Sequence, residues 1–107
     1  MRIAIVGLGY VGIQLAVALG RKHQVVGLDL DEQKITDYQA NYDATGEVSE
    51  AKLRAATHLE FTTQRGHVSD LTPSPDQLLV FYLPGNADWQ MAVEKIESLL
   101  GHLRTHL

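Results

Sequence analysis

Residues 3–19 read IAIVGLGYVGIQLAVAL, an apolar run interrupted by Gly7, Gly9 and Gly12. Glycine is costly inside regular structure, so glycines at this density mark places where a side chain would obstruct something. The residues before them, RIAIV at 2–6, are β-branched and of strand length. After them Val11, Leu15, Ala18 and Leu19 recur at helical spacing, and polar GRKH closes the segment. The spacing predicts a strand, a tight turn and a helix from about Tyr10 to about Lys22.

Outward from this core the pattern repeats. QVVGLDL at 24–30 is a second strand, ending in the acidic pair Asp29 and Asp31. Asp31 is placed to cap a second helix, with Ile35, Tyr38 and Tyr42 as its apolar stripe. NYDATGEV at 41–48 is turn-rich, and Ser49 is placed to cap a short helix over SEAKLRAA. HLEFTT at 58–63 alternates as a strand with one covered face. Residues 64–77 carry two prolines and read as a loop, and LLVFYL at 78–83 is a further buried strand broken by PGN. Trp89, Val93, Ile96, Leu100, Leu103 and Leu107 trace one face of a closing helix from about Ala87. Strands alternating with helices predict an α/β fold, a Rossmann-like parallel sheet in the order 3-2-1-4 with helices on both faces. That is half of a doubly wound nucleotide fold plus one strand, a truncated version within a single domain spanning 1–107.

The chain has 107 residues, 45% of them hydrophobic, and a net charge of −4. It has no basic block, so the electrostatic footprint of a nucleic-acid binder is missing. It has no cysteine, which excludes disulfides, zinc–thiolate sites and a cysteine nucleophile among these residues. No apolar run reaches membrane-spanning length, and the amino-terminal run is too short for a signal peptide. The expectation is a soluble cytoplasmic domain.

GLGYVG is G-x-G-x-x-G set between a strand and a helix, the context that gives this pattern its meaning. Gly7 would permit the turn out of the strand, Gly9 the close approach of a diphosphate, and Gly12 close packing of the helix. The amides of Tyr10 and Val11 lie at the helix start, where unpaired N–H groups and the helix dipole favour an anion. Asp29 follows Gly9 by twenty residues at the end of the second strand. A carboxylate there accepts hydrogen bonds from the adenosine ribose and repels the extra phosphate of NADP, which favours NAD. Lys34 is the nearest cation. The competing readings are a ligand-free turn for the glycines, a surface carboxylate for Asp29 and a solvated lysine for Lys34.

The stretch IAIVGLGYVGIQLAVALGRKHQVVGLDLDEQKI resembles the amino-terminal part of the UDP-glucose/GDP-mannose dehydrogenases. DATGEV followed by KLRAATHLEFTT is similar to the branch that oxidises UDP-N-acetylhexosamines to uronic acids, in polysaccharide biosynthesis. The resemblance covers residues 2–63. It implies NAD held by Gly7, Gly9, Tyr10, Val11 and Gly12, with Asp29 on the ribose and Lys34 as a basic cofactor contact. It also implies two successive oxidations, alcohol to aldehyde to acid, using a cysteine, a lysine and an asparagine that have no counterpart in these residues. LPGN at 83–86 departs from the family's V-P-T-P, with Gly85 in place of a cofactor-contacting threonine. No catalytic residue is therefore assigned, and the chain by itself is expected to bind NAD(H) without turnover. The alternatives are a stand-alone NAD(H)-sensing module paired with a full-length dehydrogenase or with itself as a homodimer, and a relic without ligand.

Three further groups stand out. His102 and His106 share a helix face at metal-binding spacing but lack a third ligand, and exposed histidines near a helix end are the expected reading, so no metal is assigned. Asp43, Thr45 and Glu47 resemble the family's D-x-T-x-E, either as a rim to the cofactor cleft or as a loop folded on side-chain turns. Tyr82 and Trp89 are expected as core anchors.

Overall fold

The computed structural model describes residues 2–63, 78–82 and 87–106. Eight elements follow in order: β1 (Arg2–Val6), α1 (Tyr10–Leu19), β2 (Gln24–Leu28), α2 (Glu32–Gln39), α3 (Glu50–Ala55), β3 (Leu59–Thr62), β4 (Leu78–Tyr82) and α4 (Trp89–His106). The four strands form one sheet in the order β3-β2-β1-β4, with every neighbouring pair parallel. The expected topology is therefore the observed one.

Strand register sorts the side chains into two sets. Ile3 pairs with Val25 and Ile5 with Gly27, while Val25 pairs with Leu59 and Gly27 with Phe61. These positions share a sheet face, since side chains alternate along a strand. Ile3, Ile5 and Val25 belong to one core cluster with Ile13, Leu15 and Leu19 of α1, Ile35 and Tyr38 of α2, Leu53 of α3, and Ile96 and Leu100 of α4. The described helices thus share that face. Ala4, Val26 and Leu28 alternate with the first set and are buried as well. The helices expected on that second face are not among the described residues, nor are the predicted loop at 64–77 and the LPGN stretch at 83–86.

The helix boundaries have local causes. α1 ends at Leu19, short of Lys22: Gly20 caps it, and the Lys22 N–H tightens the following turn by bonding the Leu19 carbonyl three residues back at 3.1 Å. α2 starts where the Asp31 carboxylate accepts the Lys34 N–H at 3.1 Å, and α3 where Ser49 Oγ accepts the Lys52 N–H at 3.2 Å. α2 ends at Gln39, and Asn41 adopts a left-handed φ of 62°. Tyr42 therefore leaves the predicted stripe and stands exposed, while Ile35 and Tyr38 are buried. Trp89 is half-buried at the start of α4, and the Tyr82 and His106 side chains are outside the described set. His23 Nε2 lies 3.1 Å from Glu97 Oε2, tying the α1–β2 turn to α4.

Candidate functional site

Each glycine of GLGYVG meets a different physical demand. Gly7 has φ +89°, a backbone conformation that side chains disfavour. A Cβ on Gly12 would run into the carbonyl oxygen of Gly7, so α1 can approach the end of β1 only with glycine there. A Cβ on Gly9 would meet nothing within 4 Å. The space beside Gly9 is open, and the fold itself makes no use of its bareness. Leu8, between these glycines, is fully buried and its methyl groups lie where a Gly27 side chain would stand.

Asp29 reaches back to this turn. Its Oδ2 accepts the Leu8 N–H at 2.9 Å and its Oδ1 accepts the Asp31 N–H at 3.0 Å. Lys34 Nζ stands 3.8 Å from Oδ2. Burial works to raise the Asp29 pKa, but the N–H donors of Asp31 and Leu8 and the Lys34 ammonium outweigh it. The carboxyl therefore sits below the ordinary aspartate range and is ionised at neutral pH. Its side chain retains 17% exposure, so one edge remains open to a ligand.

The structure brings Gly7, Gly9, Gly12, Asp29 and Lys34 to the carboxyl ends of β1 and β2. Tyr10 and Val11 contribute through their backbone: the first α1 bond is donated by Ile13 to Gly9, at 3.0 Å, which leaves the N–H groups before it without helical acceptors. The Tyr10 ring is exposed and the Val11 side chain is buried. An open backbone hollow at a helix start, with an ionised carboxylate bonded to its rim, fits a dinucleotide's diphosphate and ribose.

Among the described residues, two further concavities lie apart from the glycines. A cavity of about 740 Å³ runs along the β3 edge against α2 and α3, lined by Tyr38, Arg54, Glu60 and Phe61 among others, and takes none of the glycines. The ionised carboxylate and the open backbone converge at the glycine turn instead. A smaller hollow of about 160 Å³ joins Asp31 and Lys34 to Asp43 and Thr45.

Asp43 is buried and organises the 43–48 loop. Its Oδ1 accepts both the N–H and the hydroxyl of Thr45, at 2.9 and 2.7 Å, and its Oδ2 accepts the Val48 N–H at 2.9 Å. Burial raises its pKa, but the Thr45 hydroxyl and the N–H groups of Thr45 and Val48 bring it below the ordinary value. Gln14 on α1 donates to the Glu47 carbonyl at 3.2 Å, fastening this loop to the helix that opens at the glycines. No cluster of three or more metal-ligating side chains occurs among the described residues.

Comparison with known proteins decides the family. The NAD binding domain of the UDP-glucose/GDP-mannose dehydrogenase family matches residues 1–83. The chain belongs to this family. Within it, Protein CapL of Staphylococcus aureus is 51% identical over 61 residues, covering 57% of the chain and 14% of that protein. UDP-N-acetyl-D-glucosamine 6-dehydrogenase of Pseudomonas aeruginosa is 45% identical over 62 residues, covering 58% of the chain and 15% of the enzyme. The structure of a UDP-D-ManNAc dehydrogenase from Pyrococcus horikoshii superposes with a TM-score of 0.59 at 25% identity, covering 77% of the chain and 20% of that one. The chain thus spans about one seventh of the length of these two curated relatives. It is an NAD-binding domain of the UDP-sugar dehydrogenase type. No helix among the described residues is long and apolar enough to cross a membrane.

Sequence patterning located Asp29 but carried Tyr38 only as an apolar position. Tyr38 Oη donates to the Leu8 carbonyl at 3.3 Å in a buried setting. The available signal was the residue type, because a tyrosine in an apolar stripe must find a partner for its hydroxyl.

Proposed function

We propose that this chain grips the adenosine diphosphate half of NAD through Gly7, Gly9, Gly12, the amides of Tyr10 and Val11, and the Asp29 carboxylate. The observation that carries the reading is the 2.9 Å bond from the Leu8 N–H to Asp29 Oδ2. It makes the phosphate-facing turn and the ribose-facing carboxylate one assembly rather than two neighbours. Lys34, 3.8 Å from the same oxygen, balances the charge and would serve as a basic cofactor contact. The ionised Asp29 disfavours the extra phosphate of NADP.

NAD when bound supplies a hydride acceptor. The described residues bind and orient its adenine end, and none of them is assigned to proton or hydride transfer. The family relationship and the UDP-N-acetyl-D-glucosamine 6-dehydrogenase activity of the Pseudomonas relative support a role in oxidising a UDP-N-acetylhexosamine at its C6 alcohol. That chemistry needs the sugar held against the cofactor in reactive geometry, a task for residues beyond those described. By itself the 107-residue chain binds NAD without turning it over. A cytoplasmic setting, where NAD and UDP-sugars are available, fits this role. β4 ends the sheet among the described residues, which favours a homodimer or a full-length dehydrogenase as the neighbour on that side.

Isothermal titration with NAD, NADH, NADP and ADP-ribose tests the reading. NAD and ADP-ribose are expected to bind with similar affinity and NADP more weakly. Heat from none of them overturns the cofactor site.

A further inference from the structure

Two peptide planes flank Leu8, and each is held by a different element. The plane before it is held through the Leu8 N–H, bonded to Asp29 at the end of β2. The plane after it is held through the Leu8 carbonyl, which accepts from the Tyr38 hydroxyl of α2. Tyr38 is itself fixed. It is 2% exposed, and its ring meets the Phe61 ring at a centroid distance of 5.3 Å. In a trans peptide the C=O of one residue and the N–H of the next point in opposite directions. Drawing the Leu8 carbonyl inward to the buried Tyr38 hydroxyl therefore turns the Gly9 N–H to the other side. That N–H has no backbone acceptor among the described residues, and Gly9 is exposed with open space beside it.

We propose that Tyr38 is a positioning residue for the diphosphate site: by anchoring the Leu8 carbonyl it aims the Gly9 N–H into the hollow as a preset anion donor. The proposal rests on the NAD-binding reading and adds a component that no glycine fingerprint contains. Tyr38 touches no ligand in this account. It acts through one peptide plane, as Asp29 acts on the plane before it while also facing the ribose. The hydroxyl keeps its proton over the working pH range, because burial and the surrounding carboxylates of Asp43, Asp29, Asp31 and Asp37 push its pKa up to about 12. The donor arm of the clamp is thus insensitive to pH where the Asp29 arm fails in acid.

The test is Tyr38→Phe in the 107-residue chain, which removes the hydroxyl and keeps the ring. Two ligands separate the roles: ADP-ribose, which carries the diphosphate, and adenosine, which carries only the ribose and base. Tyr38→Phe is expected to weaken ADP-ribose by about 3- to 5-fold, the low end for one neutral hydrogen bond given its 3.3 Å length, and to leave adenosine unchanged. Asp29→Ala is expected to weaken both. An equal loss for both ligands in Tyr38→Phe means a general loosening and overturns the proposal, as does no loss for either. A ligand-free readout keeps the two readings apart. The Gly9 amide resonance of the unliganded chain is expected to move and broaden in Tyr38→Phe. Failure of the wild-type chain to bind ADP-ribose overturns the cofactor reading. An unchanged Gly9 resonance, with wild-type binding intact, overturns the clamp alone.

Discussion

At the scale of single residues, the three glycines separate folding from function. Gly12→Ala drives a methyl group into the Gly7 carbonyl, a backbone atom that cannot swing aside. The expected cost is about 1–3 kcal/mol of stability, the range for overpacking. Gly7→Ala forces a side chain onto φ +89° and costs a comparable amount, about 1–3 kcal/mol for a strained backbone position. Gly9→Ala is different. Its new methyl enters open space, so the thermal midpoint should hold within a few degrees while affinity for ADP-ribose falls. Melting curves and titrations on the three variants make the comparison. A large loss of stability in Gly9→Ala would show that the hollow is packed rather than open. Asp29→Ala removes charge-assisted bonds, each worth about 1.5–3 kcal/mol, so a loss of roughly 10- to 150-fold in ADP-ribose affinity is expected. The turn at Gly7 and the close approach at Gly12 were legible in sequence because the glycine spacing and its strand–helix setting are local. The Leu8–Asp29 bond was not, since it spans 21 positions and depends on the register of β1 against β2.

At the scale of elements, the 41–48 connection is held by one buried carboxylate. The sequence announced its turn residues but not which of them would be interior. Asp43 is the buried one because Thr45 and Val48 supply donors to both of its oxygens. The same nonlocal logic removed Tyr42 from the α2 stripe. Periodicity continued past Gln39, but the left-handed Asn41 turned the chain before Tyr42 could reach the core. Asp43 and Asp29 both ionise more readily folded than unfolded. Below the ordinary aspartate value of about 3.9 the unfolded chain therefore binds more protons, and stability rises with pH across that window. The contribution is fully present above about pH 5 and is lost as pH falls through the folded values. Asp43→Asn should flatten this acid limb while lowering stability at neutral pH by about 1–3 kcal/mol, because its NH₂ group would face an N–H donor. Thermal midpoints between about pH 2.5 and 7 read both effects, and a parallel curve for the variant contradicts the assignment.

At the scale of the whole molecule, every described group of the candidate site belongs to the β1-α1-β2-α2 segment. α4 completes the core through Ile96 and Leu100 and is tied to the α1–β2 turn by the His23–Glu97 contact. Ile96→Ala or Leu100→Ala should therefore cost about 2–5 kcal/mol of stability without changing which ligands bind. A ligand that binds only the folded chain raises stability by an amount set by its concentration relative to its Kd, about 2.7 kcal/mol at one hundred times Kd. For a chain of this size that corresponds to a rise of roughly 10–20 °C in Tm. If the adenosine diphosphate half supplies the grip, NAD and ADP-ribose at equal concentration should raise Tm almost equally. Nicotinamide mononucleotide, which lacks adenosine, should leave it unchanged. A shift for NAD well above that for ADP-ribose would place part of the grip on the nicotinamide side. Both shifts should fall to about half or less in Asp29→Ala and survive in Leu100→Ala, displaced to its lower baseline. The site and the core would then be separable within one sheet.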